Sequence, residues 1–252
     1  MKDGFIKVAA GTPDVQVADC EFNATEIIKM VREMEAEGAR VMVFPELCIT
    51  AYTCGDLFWQ ENLLEEAKVQ LMRIAEETAD VDAIIFVGLP LEYKGKLYNV
   101  AAGLNHGEIL GFVPKTYLPN YNEFYEARYF TSGEDVDGTV TIRRSEYGLH
   151  HDEEMTDEDV EFGLEAEVEA LEEEDSFEEL EEIDEEPDYI DEDETEEFDE
   201  VDVPISSNIL FICQEMPKLK IAAEICEDLW TAVPPSSQLA LNGAKVIFNL
   251  SA

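Results

Sequence analysis

The chain has 252 residues, 46% of them hydrophobic, a formal net charge of −44 and five cysteines. That length is enough to bury a real core, in one large domain or two small ones, and no stretch approaches the roughly 20 apolar residues of a membrane span. The acidic balance argues against nucleic acid as a partner, because phosphate would be repelled. The charge is unevenly spread: residues 151–200 hold 30 of the 60 acids and no Lys or Arg, leaving 30 acids against 16 bases elsewhere. Cys20, Cys48, Cys54, Cys213 and Cys226 form no Cys-x-x-Cys pair. Zinc and redox-pair readings are therefore weak, and free thiols in a reducing compartment fit. Met1-Lys2-Asp3-Gly4 leads into a strand pattern without a signal-peptide layout. A cytoplasmic protein, not bound to a membrane, is expected.

In chain order, Phe5–Ala10 reads as a strand. Glu21–Gly38 reads as a helix with Ile27, Ile28, Val31 and Met34 on one face and Gly38 as its stop. Val41–Phe44 is a short apolar run, as in a strand covered on both faces. A second helix is expected from Asn62 to Thr78, and a strand at Ala83–Leu89. Leu97–Gly103 and Glu108–Val113 flank Leu104-Asn105-His106-Gly107, a hairpin signal. Beyond them come strands at Ile209–Cys213 and Leu219–Ile225, a helix around Ser236–Asn242 and a strand at Lys245–Leu250. Strands alternating with helices, plus hairpins, indicate an α/β sandwich with a mixed sheet. Residues 134–202 break the pattern. Their carboxylates repel one another and their apolar anchors are few, so this stretch is expected to be a disordered acidic insertion, with some helix near Glu165–Leu180. The end at Ala252, directly after a core strand, suggests a C-terminally truncated domain.

Three reactive side chains follow buried strands: Glu46 after Val41–Phe44, Lys115 after Glu108–Val113, and Cys226 after Leu219–Ile225. Strand ends of one sheet converge, and open α/β folds bind ligands there. His106 lies in a predicted turn and His150 and His151 beside the acidic stretch, so no histidine is placed to serve as base for a thiol. Glu46 could take the proton of Cys226. Lys115 could stabilise the thiolate and an oxyanion, with the backbone N–H of Glu227 as a second donor. Acyl transfer from an amide is the matching reaction class. On pattern alone, plain readings stay open: a small buried cysteine, a turn-capping glutamate, a solvated lysine.

The motifs resemble those of the glutaminase domain of glutamine-dependent NAD synthetases, a branch of the nitrilase (carbon–nitrogen hydrolase) superfamily. The strings that carry the resemblance are Phe44-Pro45-Glu46-Leu47 with Tyr52-Thr53-Cys54-Gly55-Asp56-Leu57; Pro114-Lys115-Thr116-Tyr117-Leu118-Pro119-Asn120-Tyr121, continuing to Glu126; and Cys226-Glu227-Asp228-Leu229-Trp230. The resemblance implies an α-β-β-α sandwich of the nitrilase type, incomplete at its C-terminus. It implies Glu46 as general base, Lys115 as stabilising cation, Cys226 as nucleophile and Glu126 as a second, positioning glutamate. Tyr52 and Tyr121 would line a glutamine pocket, and Glu227 would contact the substrate amine. It implies L-glutamine as substrate and a homo-oligomer. It implies no cofactor or metal for this chain; ATP and magnesium would serve a synthetase domain that amidates deamido-NAD. No Ser-Gly-Gly-x-Asp-Ser phosphate loop or Walker motif occurs here. Two alternatives remain: a free-standing amidase or nitrilase of the same superfamily, and a non-catalytic acidic interaction protein on a nitrilase scaffold.

Overall fold

A computed structural model describes residues 5–143, 200–214 and 216–252. The chain divides into two compact units, Met1–Ile142 with Val201–Ala252, and Arg143–Glu200. Only the end residues of the second are described, where Arg143 and Glu200 form an ion pair at 2.6 Å. The expected disorder and helical stretch of the acidic segment lie outside the described residues.

The first unit is built on two sheets. The larger has the order β1-β2-β3-β4-β5-β7-β6, with β1 Val8–Ala10, β2 Val41–Val43, β3 Ile84–Tyr93, β4 Lys96–Asn105, β5 Glu108–Pro114, β6 Asp137–Arg143 and β7 Glu200–Ser206. β1, β2 and β3 are parallel; β3, β4 and β5 are antiparallel. The smaller sheet orders β10 Val246–Leu250, β9 Lys220–Ile225 and β8 Phe211–Ile212, with β9 and β10 parallel.

The sheets face each other across one apolar layer. Val41, Val43, Phe86, Ala101 and Val113 from the larger sheet meet Phe211, Ile221, Ala223, Ile225 and Leu250 from the smaller. Side chains alternate along a strand, so Met42, Ile85 and Val87, all buried, point the other way. Helix α2 (Glu61–Glu77) packs against β3 and helix α1 (Cys20–Ala36) against α2. Helix α3 (Pro235–Leu241) packs on β9. The layers are therefore α-β-β-α, the architecture that the resemblance implied. Asp19 caps α1 by accepting the Phe22 N–H at 3.0 Å, and Gly38, at φ +81°, ends it in the left-handed conformation that glycine adopts without strain.

Several boundaries differ from the sequence reading. β3 runs on to Tyr93 and forms a long hairpin with β4 through Lys94-Gly95, both at positive φ. Pro90 concealed that continuation, yet its place in the ladder faces Asn99 without breaking the hairpin. The stretch 134–202 begins and ends in strand, as β6 and β7. In β6, Asp137, Gly138 and Arg143 mask a period-two pattern; in β7, Val203 and Ile205 are buried anchors. β1 and β8 are shorter than expected because only Val8–Ala10 and Phe211–Ile212 pair.

Candidate active site

Glu46 stands at the end of β2. The Phe44 N–H still donates to Phe86 O at 2.9 Å, but Pro45 has no N–H to continue the ladder. The chain turns there, with Leu47 at φ +51°, the Cys48 N–H on Pro45 O, and the Ile49 N–H on Gly88 O at 3.1 Å. The turn lies directly on Gly88. A Cβ there would overlap Leu47 N and come within 2.7 Å of Pro45 O. Glu46 is thereby held at 2% exposure.

Lys115 follows β5, pinned by its own N–H on Asn99 O and by the Gly133 N–H on its carbonyl, both at 2.8 Å. Its side chain is fully buried. Nζ donates to Glu46 Oε1 at 2.6 Å and to Glu126 Oε1 at 2.7 Å. Burial alone would lower the proton affinity of this amine, but the two carboxylates outweigh it and hold the pKa above its ordinary value. Glu126 sits on a 3₁₀ turn, Glu126–Arg128. Burial pushes its carboxyl above the usual carboxylate range; Lys115 pulls the other way and the charge of Glu46 adds to the rise.

Each carboxylate has a second donor on the same oxygen: Asn99 Nδ2 on Glu46 Oε1 at 2.6 Å, and the Tyr52 hydroxyl on Glu126 Oε1 at 2.7 Å. Oε2 of Glu46, Oε2 of Glu126 and Oδ1 of Asn99 are buried without a hydrogen-bond partner.

Cys226 ends β9 in the left-handed region, at φ +46°. A non-glycine residue there carries backbone strain. The surroundings fix it: Asn249 Nδ2 donates to Cys226 O at 3.2 Å, and buried Asp228 accepts the Ile225 N–H at 3.1 Å. Asp228 also accepts the N–H groups of Thr116 at 3.1 Å and Tyr117 at 2.7 Å. One carboxylate thus ties the lysine-bearing strand end to the cysteine-bearing one. Burial lifts Asp228 to about 6, against the pull of the Tyr117 and Ile225 N–H groups. Burial, then the charge of Glu46, raises the Cys226 thiol, while Lys115 and Ser251 lower it. A thiol shifted in this direction needs a base beside it to act as a nucleophile.

The structure brings Glu46, Lys115 and Glu126 into one bonded cluster, with Cys226 close enough to feel Glu46 and Lys115. Tyr52 is bonded to Glu126. Tyr121 and Glu227 form a separate pair at the exposed rim, with the Tyr121 hydroxyl donating to Glu227 Oε2 at 2.9 Å. Sequence reasoning missed Gly88, Asn99 and the clamping role of Asp228. A signal existed for Asn99, an amide set within the mostly apolar run Leu97–Gly103, where an unpaired polar group is costly.

Among the described residues, no three His, Cys, Asp or Glu side chains gather where they could hold a metal ion. No helix among them is long and apolar enough to cross a membrane.

Residues 7–252 match the carbon–nitrogen hydrolase family, and the chain belongs to it. A glutamine-dependent NAD(+) synthetase of Mycobacterium tuberculosis is 31% identical over 248 residues, covering 98% of this chain and 28% of that protein. The namesake of Aquifex aeolicus is 40% identical over 119 residues, covering 47% of this chain and 21% of that protein. The chain therefore spans less than a third of the length of these curated relatives. A glutamine-dependent NAD(+) synthetase of Cytophaga hutchinsonii superposes with a TM-score of 0.64 at 23% identity, covering 98% of this chain and 30% of that one. A likeness at that identity speaks to fold alone.

Proposed function

We propose that this carbon–nitrogen hydrolase domain hydrolyses the side-chain amide of glutamine through a Cys226 thioester. The observation that carries the reading is a fully buried Lys115 bridging Glu46 and Glu126 at 2.6 and 2.7 Å, beside a cysteine held in a strained strand-end conformation. Such a cluster supplies base, cation and nucleophile without histidine.

In the proposed sequence, Glu46 takes the Cys226 proton and the thiolate attacks the amide carbon. Lys115 and the backbone N–H of Glu227 stabilise the oxyanion. Glu46 returns the proton to the leaving nitrogen, ammonia departs, and a γ-glutamyl thioester remains. Water deprotonated by Glu46 then attacks the thioester, giving glutamate and the free thiol. The Glu227 carboxylate, with Tyr121, would face the ammonium group of the substrate. Glu126 and Tyr52 keep Lys115 in place. No step passes through a metal or cofactor. In the longer protein implied by the relatives' length, the ammonia would amidate deamido-NAD in an ATP- and magnesium-dependent synthetase domain.

The test is ammonia release from glutamine by the purified chain beside its Cys226→Ala variant. Release that disappears in the variant is expected. A folded wild-type chain that releases ammonia from simple amides but not from glutamine would overturn the substrate reading. Equal release by both proteins would overturn the nucleophile.

A further inference from the structure

Asn99 lies in the middle of β4, opposite Pro90, and is 1% exposed. Burying an amide in an apolar strand is unfavourable unless its hydrogen bonds are made. Asn99 spends its side-chain donor on Glu46 Oε1 at 2.6 Å and its main-chain carbonyl on the Lys115 N–H at 2.8 Å. One residue therefore touches the base with its side chain and the cation's backbone with its own. The carboxylate fixes the orientation of the amide, since only Nδ2 can donate to it.

The consequence lies in the two oxygens of Glu46. Oε1 carries two donors, Lys115 Nζ and Asn99 Nδ2, each at 2.6 Å. Oε2 is buried and has none. With Lys115 alone, Glu46 would be held at one point, and rotation about its last bond could exchange the oxygens. A second donor on Oε1 removes that freedom. The titratable groups around Glu46 are Lys115 from the end of β5, Glu126 from its 3₁₀ turn, Cys226 from the end of β9 and Tyr52 from the turn after β2. Of these, only Lys115 bonds to Glu46 Oε1, and the second donor on that oxygen is the neutral amide of Asn99.

We propose that Asn99 is a positioning residue that locks Glu46 so that Oε2 alone accepts the proton of Cys226. The proposal rests on Glu46 being the base and is independent of the identity of the amide substrate.

The test reads the cysteine directly. Iodoacetamide alkylates a thiolate by displacing iodide, and peptide mass spectrometry resolves Cys226 from the other four cysteines. The rate would be followed from about pH 5 to 9 in wild type, Asn99→Leu, Asn99→Asp and Glu46→Gln. The acid limb belongs to the Glu46–Lys115–Glu126 cluster as a whole, so its displacement between variants is the reading. Loss of a charge-assisted donor in Asn99→Leu should move that limb up by about one pH unit, so that alkylation on the acid side of the limb slows about tenfold. The isosteric Asn99→Asp, which places a second carboxyl against Glu46, should move it further.

A limb unchanged in either folded variant overturns the proposal. If neither variant folds, Asn99 is a fold residue and the proposal is also overturned. A wild-type profile in Glu46→Gln would instead sink the base assignment, and absence of ammonia from glutamine would sink only the substrate reading.

Discussion

The two sheets prepare their strand ends by opposite means. At the ends of β2 and β5, charges are buried and fixed by one another: Glu46 and Lys115 are almost inaccessible, and Lys115 bridges two carboxylates. At the end of β9, the side chain is a half-buried thiol, and its position comes from the backbone, through a left-handed Cys226 and the Asp228 clamp. The cover differs as well. β3 and β4 are buried along most of their length, whereas four of the five residues of β10 are only half-buried. Buried charges hold each other through strong mutual attraction, but removing one strands the rest. A neutral nucleophile can be exchanged at little cost in stability, and its geometry must be enforced by strain.

The most severe way to break the comparison is Lys115→Met. Two buried carboxylates would lose their shared cation, at a cost of about 3–5 kcal/mol, and ammonia release should vanish. The sign with pH is fixed. Without the cation, the folded state binds protons on these carboxyls more tightly than the unfolded chain does, so the variant is relatively most stable in acid and loses stability as pH rises. Urea midpoints across pH check this, and a loss independent of pH would contradict it.

Next comes Gly88→Ala, which changes none of the side chains proposed to act in catalysis. The added Cβ must displace the Leu47 and Pro45 backbone that carries Glu46. A destabilisation of about 1–3 kcal/mol is expected, with a fall in kcat larger than any change in KM.

Asp228→Asn sharpens the other side. An amide cannot accept the N–H groups of Thr116, Tyr117 and Ile225 with both of its ends, which costs about 1–3 kcal/mol. The folded carboxyl sits at about 6 against an ordinary value of 3.8. Between those values the native state keeps a proton that the unfolded chain releases, so its contribution is complete below the window and is lost as pH rises through about 6. Chemical denaturation at several pH values should show this slope in wild type and a flatter one in the variant.

The smallest expected effect is the most specific. Cys226→Gly and Cys226→Ala should both abolish ammonia release. The glycine variant should be the more stable of the two by about 1 kcal/mol, because glycine adopts positive φ without strain. Equal melting of the two would show that the strand-end conformation relaxes once the thiol is gone.

Much of this was legible in the chain. The apolar period of three to four residues in α1 and α2, the continuous apolar run of β2, the mostly apolar β5 and β9, and the His106-Gly107 turn are local patterns, and local sterics and burial decide them. The motif strings around Glu46, Lys115 and Cys226 carried the resemblance to the carbon–nitrogen hydrolases, the family that residues 7–252 match. The masked alternation of β6 and the continuation of β3 through Pro90 were not legible, since pairing partners and not propensity settled them.

Tertiary structure alone decided the rest. Asn99 meets Glu46 across 53 residues of chain, and Asp228 meets Thr116 across 112. Gly88 is defined by a turn some forty residues earlier. Sequence patterns encode which groups are buried and which elements form, because those depend on neighbours within a few residues. Which oxygen of Glu46 is saturated, and which carboxylate clamps the two strand ends, depends on packing the larger sheet against the smaller. That juxtaposition exists only once the sandwich has closed.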